Sequence, residues 1–222
     1  MPSAAILMGG EARRFGGRDK SGLMIDGRSI LERQLDELSR IADDILIVGS
    51  SQMSATETGG PAKAGHPVRP GQYVASGFSR TKDPVVRLIA DRVTGCGPLG
   101  GLDAALAATS GPLIVVACDM PFVTARFLAY LRSLTAEADA VVPRTERGYH
   151  PVCAAYTPAC RPAIETSLAE HRLSMREWLE RVRVRVVEAE EIDAFGSRAR
   201  LLANVNTPAE LHELGALSSH QL

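Results

Sequence analysis

The chain of 222 residues lacks several features that mark whole classes of protein. No apolar run approaches the ~20 residues that a helix needs to cross a bilayer, so we expect no membrane partner. An excess of either charge is missing too: 25 basic side chains face 26 acidic ones, which argues against nucleic acid as a partner. A strand-like segment stands where a signal peptide would, and we therefore expect a cytoplasmic location.

The cysteines also lack a recognisable pattern. Cys96, Cys118, Cys153 and Cys160 form no Cys-x-x-Cys pair, and no histidine accompanies them at the spacing of a zinc site. We therefore expect free thiols, either buried or in loops, in a protein of a reducing compartment.

The most informative segment that is present is a glycine-rich, basic stretch near the N-terminus. The apolar run Ala4-Ala5-Ile6-Leu7-Met8 ends in Gly9-Gly10, which predicts a buried strand leading into a tight loop. The loop contains Arg14 and Gly16-Gly17 and reaches Lys20. Its amides can close around a phosphate while its basic groups neutralise the charge. The glycines have neither the spacing of a Walker phosphate-binding loop nor that of a dinucleotide-binding fingerprint. An ordinary surface loop with basic residues therefore remains an alternative.

Strands and helices alternate along the chain. The apolar segments that predict strands after the first are residues 44–49, 85–90, 112–118 and 139–143. The predicted helix starts are Ser29 with Glu32, the alanine-rich residues 102–109, Thr124, Thr157-Pro158, and Thr207-Pro208 with Glu210. Continuous apolar runs are typical of parallel strands covered on both sides. We therefore predict an α/β fold: a single doubly wound, mostly parallel sheet with helices on both faces, which binds ligands beyond the carboxyl ends of its strands.

The domain organisation is interrupted once. Residues 51–84 are rich in Gly, Pro, Ser and Thr, and a loop of this length is either functional or disordered. We predict one domain over residues 1–215 with a surface insertion at about 51–84, followed by a loose tail at 216–222.

Three polar sites lie where predicted strands end. Asp91 follows one strand and precedes the turn Gly97-Pro98-Leu99-Gly100, whose helical amides can face an anion. Asp119 follows the most apolar strand, where a carboxylate suits Mg²⁺ bound to substrate phosphates. Asn204 and Asn206 alternate with Val205, which places both amides on one face. Each of these sites could also be an ordinary turn or helix cap.

The motifs that carry a family resemblance are Leu7-Met8-Gly9-Gly10, Arg14, Gly16-Gly17, Asp19-Lys20, Gly97-Pro98-Leu99-Gly100-Gly101-Leu102, Cys118-Asp119-Met120-Pro121, His150-Pro151 and Asn204-Val205-Asn206-Thr207-Pro208. In this order they resemble nucleotidyltransferases with a glycosyltransferase-A-like fold, and among these the molybdenum cofactor guanylyltransferases. The resemblance covers nearly the whole chain. The chain departs from the family in carrying Ser50-Ser51 where an asparagine usually lies near the base, and in the insertion at 51–84.

The resemblance implies transfer of GMP from GTP to molybdenum-bound molybdopterin, with release of pyrophosphate and with Mg²⁺ as cofactor. It also implies cofactor-delivery proteins and molybdoenzyme clients as partners. The implied catalytic residues are Lys20, Arg14 and Asp119, with Asp119 on the metal. The implied nucleotide-binding residues are Leu7, Met8, Gly9, Gly10, Gly16, Gly17, Lys20, Asp91, Gly97, Pro98, Leu99, Gly100 and Asp119. Asn204 and Asn206 are implied to bind the molybdopterin.

Three alternative functions remain at this stage. A molybdopterin cytidylyltransferase would differ chiefly in its base, although Gly9-Gly10 favours the guanylyl type over relatives that carry Ala-Ala-Gly there. A sugar-phosphate nucleotidyltransferase usually has a larger sugar-binding half. A non-catalytic carrier of GTP or cofactor is disfavoured by the presence of both Lys20 and Asp119.

Overall fold

The structure is a computed structural model, and it describes residues 1–8, 23–49, 72–73, 83–93, 95–207 and 210. Its strands are β1 (Ser3–Leu7), β2 (Met24–Ile25), β3 (Arg28–Ser29), β4 (Asp44–Gly49), β5 (Gln72–Tyr73), β6 (Val85–Ala90), β7 (Leu113–Ala117), β8 (Ala140–Thr145), β9 (Gly148–Tyr149), β10 (Cys153–Tyr156) and β11 (Val184–Val187). Its α-helices are α1 (Ile30–Ser39), α2 (Gly97–Ala107), α3 (Ala125–Ser133), α4 (Arg161–Ala169), α5 (Ala189–Asp193) and α6 (Arg198–Leu201). Short 3₁₀ helices span Leu134–Ala136, Pro158–Cys160 and Trp178–Arg181.

The central sheet is mostly parallel, as predicted. Its strand order is β11-β8-β10-β7-β1-β4-β6-β5, and β9 pairs with β8. Parallel pairing joins β1 to β4 and β7, β4 to β6, and β8 to β11. Strand β10 runs antiparallel to both β7 and β8, which makes β7 and β8 parallel to each other. The carboxyl ends of β1, β4, β6, β7, β8 and β11 therefore lie at one edge of the sheet.

Helices cover both faces of the sheet, which confirms the predicted doubly wound class. Alternate residues of each strand point to opposite faces, so Ala4 and Ile6 pack with α1 and α3 while Ala5 and Leu7 pack with α2. On the second face, Trp178 is fully buried with α2 and α4. Within the described residues, no helix is both long and apolar enough to span a bilayer.

Local sequence patterns placed the helix starts well. Ser29 and Glu32 form the predicted capping box of α1, and the Thr124 side chain accepts from the Phe127 amide at the start of α3. A second predicted capping box is confirmed at Thr207 and Glu210, where each side chain accepts from the other's backbone amide. Thr157 begins only a 3₁₀ helix and makes no side-chain cap there.

One predicted helix start needs adjustment, and one strand was not predicted. The glycine-rich turn at 97–100 is itself the first turn of α2, so the helix begins five residues before the predicted alanine-rich stretch at Leu102. Strand β10 lies antiparallel in the sheet, although its short apolar sequence gave no sign of its direction. All four cysteines are free, as predicted, and burial raises the pKa of Cys153 and Cys160 to about 12.

Within the predicted insertion at 51–84, the structure describes residues 72–73 and 83–84. Gln72–Tyr73 forms β5, which pairs antiparallel with β6 at the end of the sheet. The other residues at 51–71 and 74–82, and the predicted tail at 216–222, lie outside the described residues. The predicted division into one domain with an insertion and a tail stays a prediction.

Candidate active site

The end of β1 forms the centre of the candidate site. The Met8 amide donates to the Val48 carbonyl at 2.8 Å, and the Cys118 amide donates to the Leu7 carbonyl at 3.1 Å. These bonds hold Leu7 and Met8 between the ends of β4 and β7. The loop predicted to follow them, with Gly9, Gly10, Arg14, Gly16, Gly17 and Lys20, lies outside the described residues.

Asp91 lies on one side of this centre, at the end of β6. Its amide donates to the Gly49 carbonyl at 3.2 Å, which continues the pairing of β6 with β4. Burial raises the pKa of the Asp91 carboxyl above its ordinary value. No ion pair to this carboxylate is found in the part of the chain that the structure describes. A partly buried carboxylate with a raised pKa at a strand end makes Asp91 a candidate ligand-binding residue.

Helix α2 approaches the same strand ends through Gly101, which the predicted binding set did not include. A Cβ atom on Gly101 would lie 3.3 Å from Leu7 Cδ2 and 3.7 Å from both Asp91 Oδ1 and Val48 Cγ1. A side chain here would press on Leu7, so glycine suits this close approach of the helix; the three glycines within residues 97–101 were the available sequence indication. The helix thereby covers the space beside Asp91.

The N-terminus of α2 points its amides toward this edge without a side-chain cap. Among the described residues no side chain caps it, and no acidic residue lies in its first turn, which comprises Gly97, Pro98, Leu99 and Gly100. Gly97 has a φ of +59°, a left-handed conformation that favours glycine. Uncapped N-terminal amides carry partial positive charge, so this turn suits an anion or the acceptor groups of a base.

Asp119 lies on the other side of the centre, in the turn after β7. The side-chain amide of Asn204 donates to Asp119 Oδ1 at 2.8 Å, and the Val205 amide donates to the Asp119 carbonyl at 2.7 Å. Two segments that the sequence analysis treated separately therefore form one site. Val205 is buried while Asn204 is exposed and Asn206 half-buried, so the predicted alternation holds. The Asn206 amide also donates to Glu210 Oε2 at 2.6 Å, which ties this segment to its capping box.

Sequence reasoning missed Gln34, whose side chain donates hydrogen bonds to the backbone of the Asp119 turn. This fully buried side chain of α1 donates through Nε2 to the Ala117 carbonyl at 2.7 Å and to the Met120 carbonyl at 3.0 Å. A polar residue on the buried face of a predicted amphipathic helix was the indication. Gln34 is a positioning residue, because it holds the backbone on both sides of Asp119.

We expect Gln34→Leu to lower both stability and activity. The substitution leaves the buried Met120 carbonyl without its Gln34 donor, while the Ala117 carbonyl keeps the Met120 amide at 3.2 Å. An unsatisfied buried carbonyl costs about 1–3 kcal/mol of unfolding free energy. Because the Asp119 turn loses its support, we expect kcat to fall about 5–10-fold, in line with ~1 kcal/mol of lost alignment. Thermal unfolding and initial rates measure the two effects.

Ile45→Val is the matched control for this loss of stability. It removes one methylene from the same core at about 0.5–1.5 kcal/mol and lies far from the Asp119 turn. It should lower the melting temperature and leave kcat unchanged. A Gln34→Leu protein that keeps the wild-type kcat would contradict the positioning role.

Comparison with known proteins decides the family. Residues 4–186 match the model of the MobA-like NTP transferase domain. The chain belongs to this family. Membership confirms the predicted nucleotidyltransferase class of enzyme.

Individual relatives agree with this family. A probable molybdenum cofactor guanylyltransferase of Pelotomaculum thermopropionicum is 29% identical over 210 residues, which cover 94% of this chain and 89% of the relative. The crystal structure of molybdopterin-guanine dinucleotide biosynthesis protein A from Archaeoglobus fulgidus has a TM-score of 0.73 at 25% identity, covering 98% of both chains. A Mycobacterium tuberculosis protein solved in complex with manganese is 14% identical, with a TM-score of 0.54 and 96% of both chains covered. This last likeness is one of fold alone.

Proposed function

We propose that this protein transfers GMP from GTP to the terminal phosphate of molybdenum-bound molybdopterin. An oxygen of the acceptor phosphate forms a bond to the α-phosphorus of GTP. The bond between this phosphorus and the bridging oxygen of the β-phosphate breaks, and its electron pair leaves with pyrophosphate. The protein forms no covalent bond to the substrates in such a reaction. It accelerates the reaction by aligning the two substrates and by stabilising the charge on the transferring phosphate.

The contact between Asp119 and Asn204 is the observation that carries this proposal. It joins a carboxylate at the end of β7 to the segment that we assign to the molybdopterin. On the other side of Leu7 and Met8 lie Asp91 and the uncapped N-terminus of α2, which we assign to the nucleotide. Donor and acceptor would then meet at the end of β7, next to Asp119.

The donor set at Asp119 fits Mg²⁺, which we propose as the cofactor. Mg²⁺ binds through one or two carboxylates together with substrate phosphates and waters, so a single carboxylate at this edge is sufficient. Within the described ranges no cluster of three metal-ligating side chains exists. When bound, the ion would neutralise charge that develops on the phosphate oxygens.

The basic loop supplies the remaining proposed groups. We assign Gly9, Gly10 and Gly16-Gly17 to wrapping the phosphates, Arg14 to holding the triphosphate, and Lys20 to the charge that grows on the α-phosphate. These assignments rest on the sequence motif. Cofactor-delivery proteins and molybdoenzymes are the macromolecular partners that we propose for the product.

A direct test supplies the purified protein with GTP, Mg²⁺ and molybdenum-loaded molybdopterin. The proposal requires release of one pyrophosphate for each guanine dinucleotide formed. Omission of the acceptor and omission of Mg²⁺ are the controls, and each should abolish release. Stoichiometric binding of the cofactor without any pyrophosphate release would make the protein a carrier and overturn the proposal.

We expect GTP to be used well ahead of CTP and ATP. Base edges read by buried hydrogen bonds discriminate strongly, because a wrong base leaves polar groups unpaired. On this ground kcat/KM for GTP should exceed that for either competitor by a factor of about 100 or more. Parallel initial-rate measurements with each nucleotide test this ratio. Equal turnover with CTP would contradict the guanylyl assignment and leave the family intact.

A further inference from the structure

The hairpin of β8 and β9 reaches the same edge of the sheet as Asp119. Strand β8 runs parallel to β7, so Thr145 lies at the edge where β7 ends. The segment that follows the hairpin crosses back toward β7, where the Ala117 amide donates to the Val152 carbonyl at 2.8 Å. His150, which begins this segment, is therefore close to the turn that carries Asp119.

The arginines of this region differ in their ion pairing. Arg144 pairs with Glu188 at 2.5 Å, and Arg198 pairs with Glu146. Among the residues that the structure describes, neither Arg147 nor Arg176 pairs with a carboxylate, although both side chains are exposed. The neighbouring carboxylates Glu146 and Glu177 pair with Arg198 and Arg172, so within the described residues Arg147 and Arg176 have no acidic partner.

The Arg176 side chain contacts the backbone of the hairpin that carries Arg147. Arg176 Nη2 donates to the Arg147 carbonyl at 3.4 Å. The guanidinium of Arg176 also packs on Gly148, where a Cβ atom would lie 3.3 Å from Nη2. Gly148 has a φ of +98°, so glycine both permits the turn and leaves room for the guanidinium. The Arg176 guanidinium therefore lies against the backbone of Arg147 and Gly148, and both arginines are close enough to His150 for their charges to act on it.

The His150 ring is partly buried beside Thr145, in the hairpin that carries Arg147. Its Nε2 lies 2.8 Å from Thr145 Oγ1, and the same hydroxyl oxygen accepts from the Arg147 amide at 3.2 Å. Burial, together with the charges of Arg147 and Arg176, lowers the pKa of His150 below its ordinary value. The positive charge at this place therefore comes from the two guanidinium groups.

We propose that Arg147 and Arg176 bind the terminal phosphate of the molybdopterin acceptor. Guanidinium groups bind phosphate through paired N–H···O bonds, and a phosphate dianion would supply the missing counter-charge. The position favours the acceptor over GTP, because the hairpin lies on the β8 side of β7, opposite to Asp91 and α2. Two strand spacings, about 10 Å, separate β8 from β7. This inference rests on the proposed function for the identity of the acceptor.

Equilibrium dialysis with free molybdopterin tests the contact without turnover. We expect Arg147→Gln and Arg176→Gln each to weaken binding about tenfold or more, the usual effect of losing a charged hydrogen bond. Dephosphorylated molybdopterin is the matched ligand, and the wild type and both variants should bind it equally weakly. Arg183→Gln is the matched variant, because it removes an exposed arginine at the opposite edge, where Arg183 pairs with Asp139. It should bind both ligands as the wild type does.

Initial rates separate the two substrates. In both variants the KM for molybdopterin should rise about tenfold or more while the KM for GTP stays within about twofold. A rise confined to the KM for GTP, an equal loss of binding for the dephosphorylated ligand, or no loss at all would each overturn the assignment. If the wild type binds molybdopterin but releases no pyrophosphate, the proposed function fails, and the dialysis comparison still decides whether the arginines bind the phosphate.

Discussion

Asp119→Asn should lower kcat at least about 100-fold, the effect expected when a charge clamp on transferring phosphates is lost. The substitution removes the negative charge and keeps an oxygen that can accept from Asn204, whose amide now contacts Oδ1 at 2.8 Å. The Asp119 carbonyl still accepts from the Val205 amide. The fold should therefore be preserved, and the loss should lie in the binding of Mg²⁺ and the stabilisation of phosphate charge.

Two measurements separate this role from a structural one. Thermal unfolding of Asp119→Asn should match the wild type within a few degrees, and the Mg²⁺ concentration needed for half-maximal rate should rise. Asp36→Asn is the control, because it removes a carboxylate from the exposed face of α1, where Asp36 pairs with Arg28 and Arg40. It should keep the wild-type rate. A fully active Asp119→Asn protein, or one that is inactive because it unfolds, would show that Asp119 is structural.

Lys20→Ala should lower kcat more than it raises the KM for GTP. A point charge that follows the α-phosphate into the transition state acts mainly there, and loss of such a group costs about 100-fold or more in kcat. Arg14→Ala should do the reverse, because an interaction with the triphosphate that is equal in ground and transition states affects KM alone. Steady-state kinetics on both variants measure this contrast.

Arg13→Ala provides the control for charge in the same loop. It removes a neighbouring basic residue to which no role is assigned, so kcat and KM should both stay near the wild-type values. If Lys20→Ala changes KM only, Lys20 is a binding residue and its catalytic assignment is wrong. If all three variants lose activity equally, the loop acts through its net charge.

The local elements of this fold could be predicted because their causes lie within a few residues. Ser29 and Glu32 are three positions apart, so their capping box is visible in the sequence. The continuously apolar stretch within β7 predicted a buried parallel strand. The family could likewise be predicted, because its motifs are short and occur in a set order.

The relations between distant segments could not be predicted in this way. Gln34 and Ala117 are 83 positions apart, and Asn204 and Asp119 are 85 apart. No local propensity encodes such hydrogen bonds, because they depend on which strands become neighbours. The direction of β10 could not be predicted for the same reason. A short apolar strand can pair in either direction, and only its place between β7 and β8 makes it antiparallel.

The sequence by itself determined the alternation of strands and helices, the family, and the residue types at the strand ends. Tertiary structure alone decided that Asn204 contacts Asp119, that Gly101 of α2 lies near Leu7 and Asp91, and that the Arg176 guanidinium contacts the Arg147 carbonyl. The physical reason is the pairing of the strands. Parallel strands bring their carboxyl ends to one edge whatever their separation in the chain. The candidate site residues Asp91 and Asp119 both lie at that edge.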